Sequence, residues 1–71
     1  MRHMYFADSV AEAEAIAHHL WYWCGNDSVV RSHLFVSWVD DELTEWDWQV
    51  IWENNEDALR KAGHKREEYI V

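Results

Sequence analysis

The stretch "DDELTEWDWQVIWENNED" places eight carboxylates, Asp40, Asp41, Glu42, Glu45, Asp47, Glu53, Glu56 and Asp57, among three tryptophans and no lysine or arginine. Carboxylates at this density serve acid–base catalysis or offer a single-sign surface to a cationic partner. Catalysis requires a pair in a cleft whose pKa values are pushed apart, and nothing in the spacing marks a cleft. The second use fits the distribution of charge. The chain has a formal net charge of -8, and outside this window six acidic residues balance six basic ones. Mixed charges serve solubility equally well, whereas a single-sign field costs self-repulsion and points to steering or to a basic partner. The plain alternative is a solvated sheet face that keeps strand edges from aggregating.

Five histidines and one cysteine raise the question of a metal. His18 and His19 are adjacent, so on a helix they point about 100° apart. His3, His33 and His64 fall on other elements, and no CxxC or HxxxH spacing occurs. Cys24, near a helix C-terminus, lacks the setting that lowers a thiol pKa and reads as a packing residue. "GNDS" has one glycine and no following GK[ST], so no phosphate-cradling loop is present. The expectation is a non-enzymatic protein with no cofactor and no metal site.

Seventy-one residues make one domain, 1–71, and six Trp, three Tyr and two Phe supply the large apolar areas that a short chain needs for its core. One cysteine excludes an intramolecular disulfide, and no signal-type segment opens the chain, so a reducing cytosol is expected. The longest apolar run, Leu20 to Cys24, is far short of the roughly 20 residues that span a bilayer. Direct nucleic-acid binding is disfavoured, because it depends on Lys and Arg neutralising phosphates.

Positioning these groups requires few elements. "MRHMYFA" reads as a strand, and Ser9 with Glu12 forms a capping box opening a helix over 9–24 that Gly25 ends. Its apolar stripe is Val10, Ala13, Ile16, Ala17, Leu20 and Cys24. "VVRSHLFVSWV" alternates as a second strand, with Leu34, Val36 and Trp38 on one side. "TEWDWQVIWE" alternates more cleanly, with Trp46, Trp48, Val50 and Trp52 on one face and Glu45, Asp47 and Glu53 on the other, which predicts a third strand in a hairpin with the second. "NNEDALRKAG" reads as a short second helix with an Asn cap, and "HKREEYIV" as a closing edge strand. The predicted fold class is α+β, a small antiparallel sheet of three to four strands with two helices on one face, in the ferredoxin-like β-α-β-β-α-β order. The carboxylates would then line the open sheet face, about 6.6 to 6.8 Å apart along the strand.

Size, the acidic row Asp40, Asp41, Glu42, Glu45, Asp47, Glu53, Glu56, Asp57 and the lack of a catalytic motif together resemble the small acidic inhibitors that phages direct against host defence, the anti-CRISPR and DNA-mimicking anti-restriction proteins. The resemblance covers the central eighteen residues and the overall size. It implies a partner-binding site at those eight residues, a basic protein surface in a nucleic-acid-binding complex of a bacterial defence system, action in the host bacterial cytosol, and a monomer or weak homodimer. A Cascade-type effector, whose Lys and Arg read DNA phosphates and the protospacer-adjacent motif, is the partner it favours. The alternative is a small interaction module, adaptor or antitoxin-like, working through a sheet edge or an aromatic rim at Trp21, Phe35 or Trp38.

Overall fold

A computed structural model of the chain describes residues 2–30, 34–39 and 41–71. Strand β1 (His3–Phe6) leads into helix α1 (Val10–Tyr22), two short strands follow, β2 (Val29–Val30) and β3 (Phe35–Trp38), and helix α2 (Glu45–Lys61) precedes a single 3-10 turn at Arg66–Glu68. The sheet has three strands in the order β1-β3-β2. β3 is central and antiparallel to both neighbours, with Tyr5 and Val30 each opposite Val36. The fold is thus a small α+β layer with two helices.

Local chemistry accounts for α1. The Ser9 hydroxyl accepts the Glu12 N–H at 3.1 Å, and alanine-rich sequence follows. The Glu12 carboxylate accepts the Asp8 N–H at 2.8 Å, one residue before the cap itself. At the other end Gly25 adopts φ +68°, the left-handed region, and the Asn26 N–H reaches back to the Leu20 carbonyl at 2.8 Å. The buried face of α1 carries Ala13, Ala15, Ile16 and Leu20, but also Glu12 and His19, whereas Val10 is exposed. The inward stripe is therefore rotated from the apolar one, and it takes two polar groups into the core.

The stretch predicted as a third strand is helical. Thr44 caps α2: its hydroxyl accepts the Asp47 N–H, while Asp47 Oδ2 takes the Thr44 N–H at 2.7 Å and the Thr44 hydroxyl at 2.8 Å. This reciprocal box commits the chain to helix before the alternating tryptophans are reached. The four residues assigned to one sheet face separate accordingly: Trp52 is 1% exposed, Trp48 and Val50 are half-buried, and Trp46 is 54% exposed. The short second helix predicted from Asn54 is the continuation of α2 beyond a kink. Asn55 has φ -135° and ψ 18°, and its side-chain amide donates to the Ile51 carbonyl at 2.9 Å, a side-chain bond inserted beside the helix ladder.

Two further strand predictions are corrected. The segment 29–39 is two strands folded back on each other, β2 and β3, rather than one, and the residues joining them include His33, which lies outside the described residues. Leu34 enters β3 at φ +59°, a left-handed conformation unfavourable for a branched side chain, and it holds the Ala7 N–H on its carbonyl at 2.7 Å. The closing strand predicted for 64–71 is the 3-10 turn, so the four-stranded ferredoxin-like order is not formed among the described residues.

α1 packs on the sheet and α2 packs on α1, reaching β1 through Trp48, whose ring lies 5.6 Å from that of Tyr5. Ile16, Leu20, Val36, Trp38, Ile51, Trp52 and Leu59 fill the space between these layers. Met4 and Phe6 are exposed on the opposite side of the sheet, where the Phe6 ring lies 4.9 Å from that of Phe35 in a tilted arrangement.

The helical register gives two tryptophans that a strand would treat alike opposite fates. Trp52→Ala is expected to cost about 3–5 kcal/mol, and Trp46→Ala no more than about 0.5 kcal/mol in urea denaturation followed by circular dichroism. Equal losses at the two positions would contradict this register.

Candidate functional site

The helix redistributes the acidic residues. Glu45, Glu53, Glu56 and Asp57 are exposed on α2, and Asp41 and Glu42 are exposed in the segment before it. Asp40 lies outside the described residues. All four stand exposed on α2, Glu45 and Glu53 before the kink at Asn55 and Glu56 and Asp57 after it, not on a sheet face as predicted. Glu56 pairs with Arg60 at 3.0 Å, and the Arg60 guanidinium lies 5.7 Å from the centre of the Trp52 ring. Glu45, Glu53 and Asp57 have no ion-pair partner among the described residues.

Asp47 does not belong to this surface. It is 8% exposed, and its Oδ1 lies 2.7 Å from His19 Nε2, joining α2 to α1. Burial alone would raise its pKa, but the Thr44 N–H, His19 and the Thr44 hydroxyl outweigh burial and hold the carboxyl below its ordinary value. Cys24 Sγ completes the group, 3.5 Å from Asp47 Oδ1 and 3.6 Å from His19 Nε2. A cavity of about 140 Å³ borders Cys24 and Asp47, lined also by Leu20, Asn26, Asp41, Glu42, Leu43 and Thr44.

The three side chains do not form a nucleophile–base–acid relay. Such a relay uses both imidazole nitrogens, one toward the nucleophile and one toward the acid. Here cysteine and aspartate share Nε2, and Nδ1 is buried without a hydrogen-bond partner. The sequence reading missed this group because twenty-eight residues separate His19 from Asp47 and Asp47 was assigned to an exposed strand face. A Thr three residues before an Asp, T-x-x-D, was the available signal for the helix start that brings them together.

A second polar chain lies at the other end of α1. The Ser9 hydroxyl is 2.6 Å from His64 Nε2, His64 Nδ1 is 2.8 Å from the Tyr69 hydroxyl, and that hydroxyl donates to the Glu12 carboxylate. One proton arrangement satisfies every member: Ser9 O–H to Nε2, Nδ1–H to the Tyr69 oxygen, and Tyr69 O–H to Glu12. Ser9 simultaneously caps α1. These bonds tie the C-terminal turn to the start of α1, and Tyr69 also lines an open cavity with Tyr5, Asp8, Trp48 and Glu68.

Trp21, Tyr22 and Trp23 close α1 with exposed rings, Tyr22 lying 5.0 Å from Trp23 and 5.7 Å from His18. Trp46 adds a fourth exposed ring, 5.8 Å from His19. Trp38, predicted as a rim residue, is instead buried, and its indole N–H donates to the Asp41 carbonyl at 3.0 Å. Phe35 is half-buried on the sheet. No helix of the described residues is long and apolar enough to cross a membrane.

Comparison of the chain with protein-family models, curated proteins and solved structures found no match.

The Glu12 network carries a pH signature. Burial, then the charges of Glu12 and Asp8, push the Tyr5 hydroxyl up to about 12, and burial followed by the Glu12 hydrogen bond raises Tyr69 as well. Above the ordinary tyrosine value of about 10 the unfolded chain loses protons that the folded chain keeps. Stability should therefore be level up to about pH 10 and fall from there toward pH 12 in urea titrations. Tyr69→Phe should cost about 1–3 kcal/mol by leaving Glu12 short of a donor, and should make the alkaline slope shallower.

Proposed function

We propose that the chain is a non-enzymatic binding protein whose acidic α2 face engages a basic, nucleic-acid-binding protein surface by imitating phosphate charge. The observation that carries this reading is the exposure of Glu45, Glu53, Glu56 and Asp57 along α2, with Asp41 and Glu42 extending the charge at its start. At a rise of about 1.5 Å per residue, Glu45 and Asp57 stand roughly 18 Å apart along α2. One DNA strand presents a phosphate every ~3.4 Å, so the face covers the length of about five phosphates with a comparable number of charges. Charges carried on helical turns are also presented without ordering a loop on binding.

In its finer form the reading is a phage-encoded inhibitor of the anti-CRISPR or anti-restriction class. It would act as a monomer or weak homodimer in the host cytosol on a Cascade-type effector, occupying the Lys and Arg residues that target DNA needs. Asp47, predicted as part of the mimic, is not included, because it is buried. The exposed rings of Trp21, Tyr22, Trp23 and Trp46 favour a second reading, an adaptor or antitoxin-like module held by aromatic anchors.

Target-DNA binding by a purified Cascade-type complex, measured with and without the protein, separates the two. Wild type should inhibit at low salt, weaken steeply as salt rises, and lose about tenfold or more in potency when Glu45, Glu53 and Asp57 are all changed to Lys. Inhibition indifferent to both charge reversal and salt would sink the mimic. Loss on Trp21→Ala with Trp46→Ala, and not on charge reversal, would assign binding to the aromatic group.

A further inference from the structure

We infer that His19, Cys24 and Asp47 form a site for a divalent transition ion of the zinc class, bound by imidazole, thiolate and carboxylate. Nε2, Sγ and Oδ1 are separated by 2.7, 3.5 and 3.6 Å. The circle through three atoms so spaced has a radius of about 1.9 Å, so an ion slightly off their plane stands about 2.0–2.3 Å from each, the range of zinc–nitrogen, zinc–oxygen and zinc–sulfur bonds. Around a tetrahedral ion with those bond lengths, sulfur lies about 3.5 Å from its nitrogen and oxygen neighbours, as here. Only the nitrogen–oxygen pair, held together by a hydrogen bond in the ion's absence, must open by about 0.6 Å to reach tetrahedral spacing.

The surroundings orient the donors. Asp47 Oδ2 is engaged by the Thr44 N–H and hydroxyl, which leaves Oδ1 turned toward His19 and Cys24. Outer partners of this kind set the direction of a ligating carboxylate. His19 is fixed within α1, and Cys24 is set at the chain reversal that Gly25 completes. The cavity bordering Cys24 and Asp47 gives an entry path and room for a water as fourth ligand. Ligand chemistry narrows the ion: a thiolate with an imidazole suits zinc or cobalt and not magnesium or calcium. On binding, the thiol proton passes to solvent and the imidazole carries its proton on Nδ1. That nitrogen has no acceptor among the described residues, so the affinity should fall below that of a four-residue structural zinc site. The ion would clip the end of α1 to the first turn of α2, beside Asp41 and Glu42, which border the same cavity.

The test uses the whole chain and the metal alone. Wild type loaded with zinc and passed through gel filtration should retain one ion per chain. Cobalt in its place should give the intense visible bands of a tetrahedral centre and a near-ultraviolet thiolate charge-transfer band, both unchanged in His18→Ala and the charge-transfer band lost in Cys24→Ala. Thr44→Ala, at an exposed position, should weaken binding roughly 10–100-fold by freeing the carboxylate it orients. Should Cys24→Ala fail to fold, alkylation of wild type decides: saturating zinc should slow the reaction of Cys24 with iodoacetamide about tenfold or more. Wild type that retains no zinc, a cobalt spectrum without the thiolate band, or alkylation unaffected by zinc would each overturn the site.

Discussion

The carboxylate of Asp47 has two oxygens, and the fold uses them on different elements. Oδ2 closes the capping box that starts α2, and Oδ1 meets His19 on α1. The start of the second helix and its seat against the first are therefore set by one side chain. Burying a charge costs several kcal/mol unless its lone pairs are met, and here donors from Thr44, His19 and Cys24 meet them. Once α2 starts at this point, Ile51, Trp52 and Leu59 follow into the core at helical spacing, and the acidic residues of α2 other than Asp47 face outward.

The Ser9, His64, Tyr69 and Glu12 chain does at the far end of α1 what Asp47 does near its C-terminus. It joins two segments fifty-five residues apart in sequence, so the C-terminal turn is held by hydrogen bonds as well as by the rings of Tyr69, Trp48 and Trp52. Glu12, His19, Asp47 and His64 are buried with Ser9, Cys24 and Tyr69 half-buried beside them, and their geometry favours one arrangement of the helices over neighbouring apolar packings. A small core in which large aromatic rings could settle in more than one way gains most from such directional contacts.

Much of α1 was readable in the residues. Ser9 three before Glu12, alternate alanines and Gly25 each state a local preference; the structure has the Ser9 cap, the helix and the left-handed Gly25, while the Glu12 carboxylate takes the Asp8 N–H in place of the expected Ser9 N–H. α2 was not, because Trp46, Trp48, Val50 and Trp52 satisfy a period of two, and aromatic and β-branched residues favour strands. The helical period was also present in Trp48, Ile51, Trp52 and Leu59, and the cap at Thr44 decides between them. Asn54 was read as a helix start, and the kink at Asn55 is the physical remnant of that signal. Sequence placed the acidic residues correctly as a window but not on the right surface. The meeting of His19, Cys24 and Asp47 depends on long-range packing that no local spacing encodes.

The exposed face of the sheet gives the acidic charge another role. Met4 and Phe6 stand in solvent beside Phe35 on a layer that, among the described residues, is three strands wide with β1 and β2 at its edges. Two copies meeting through this face would bury those rings, and two edges meeting would extend the sheet. Against both stands the formal charge of -8 on a particle with a radius of gyration of 11.1 Å. At physiological ionic strength the screening length of about 8 Å is shorter than the molecule, so repulsion acts as a short-range cushion and not as a long-range barrier. Association through this face or these edges is in this sense a colloidal matter, governed by the ionic strength of the medium as much as by the shape of the surface.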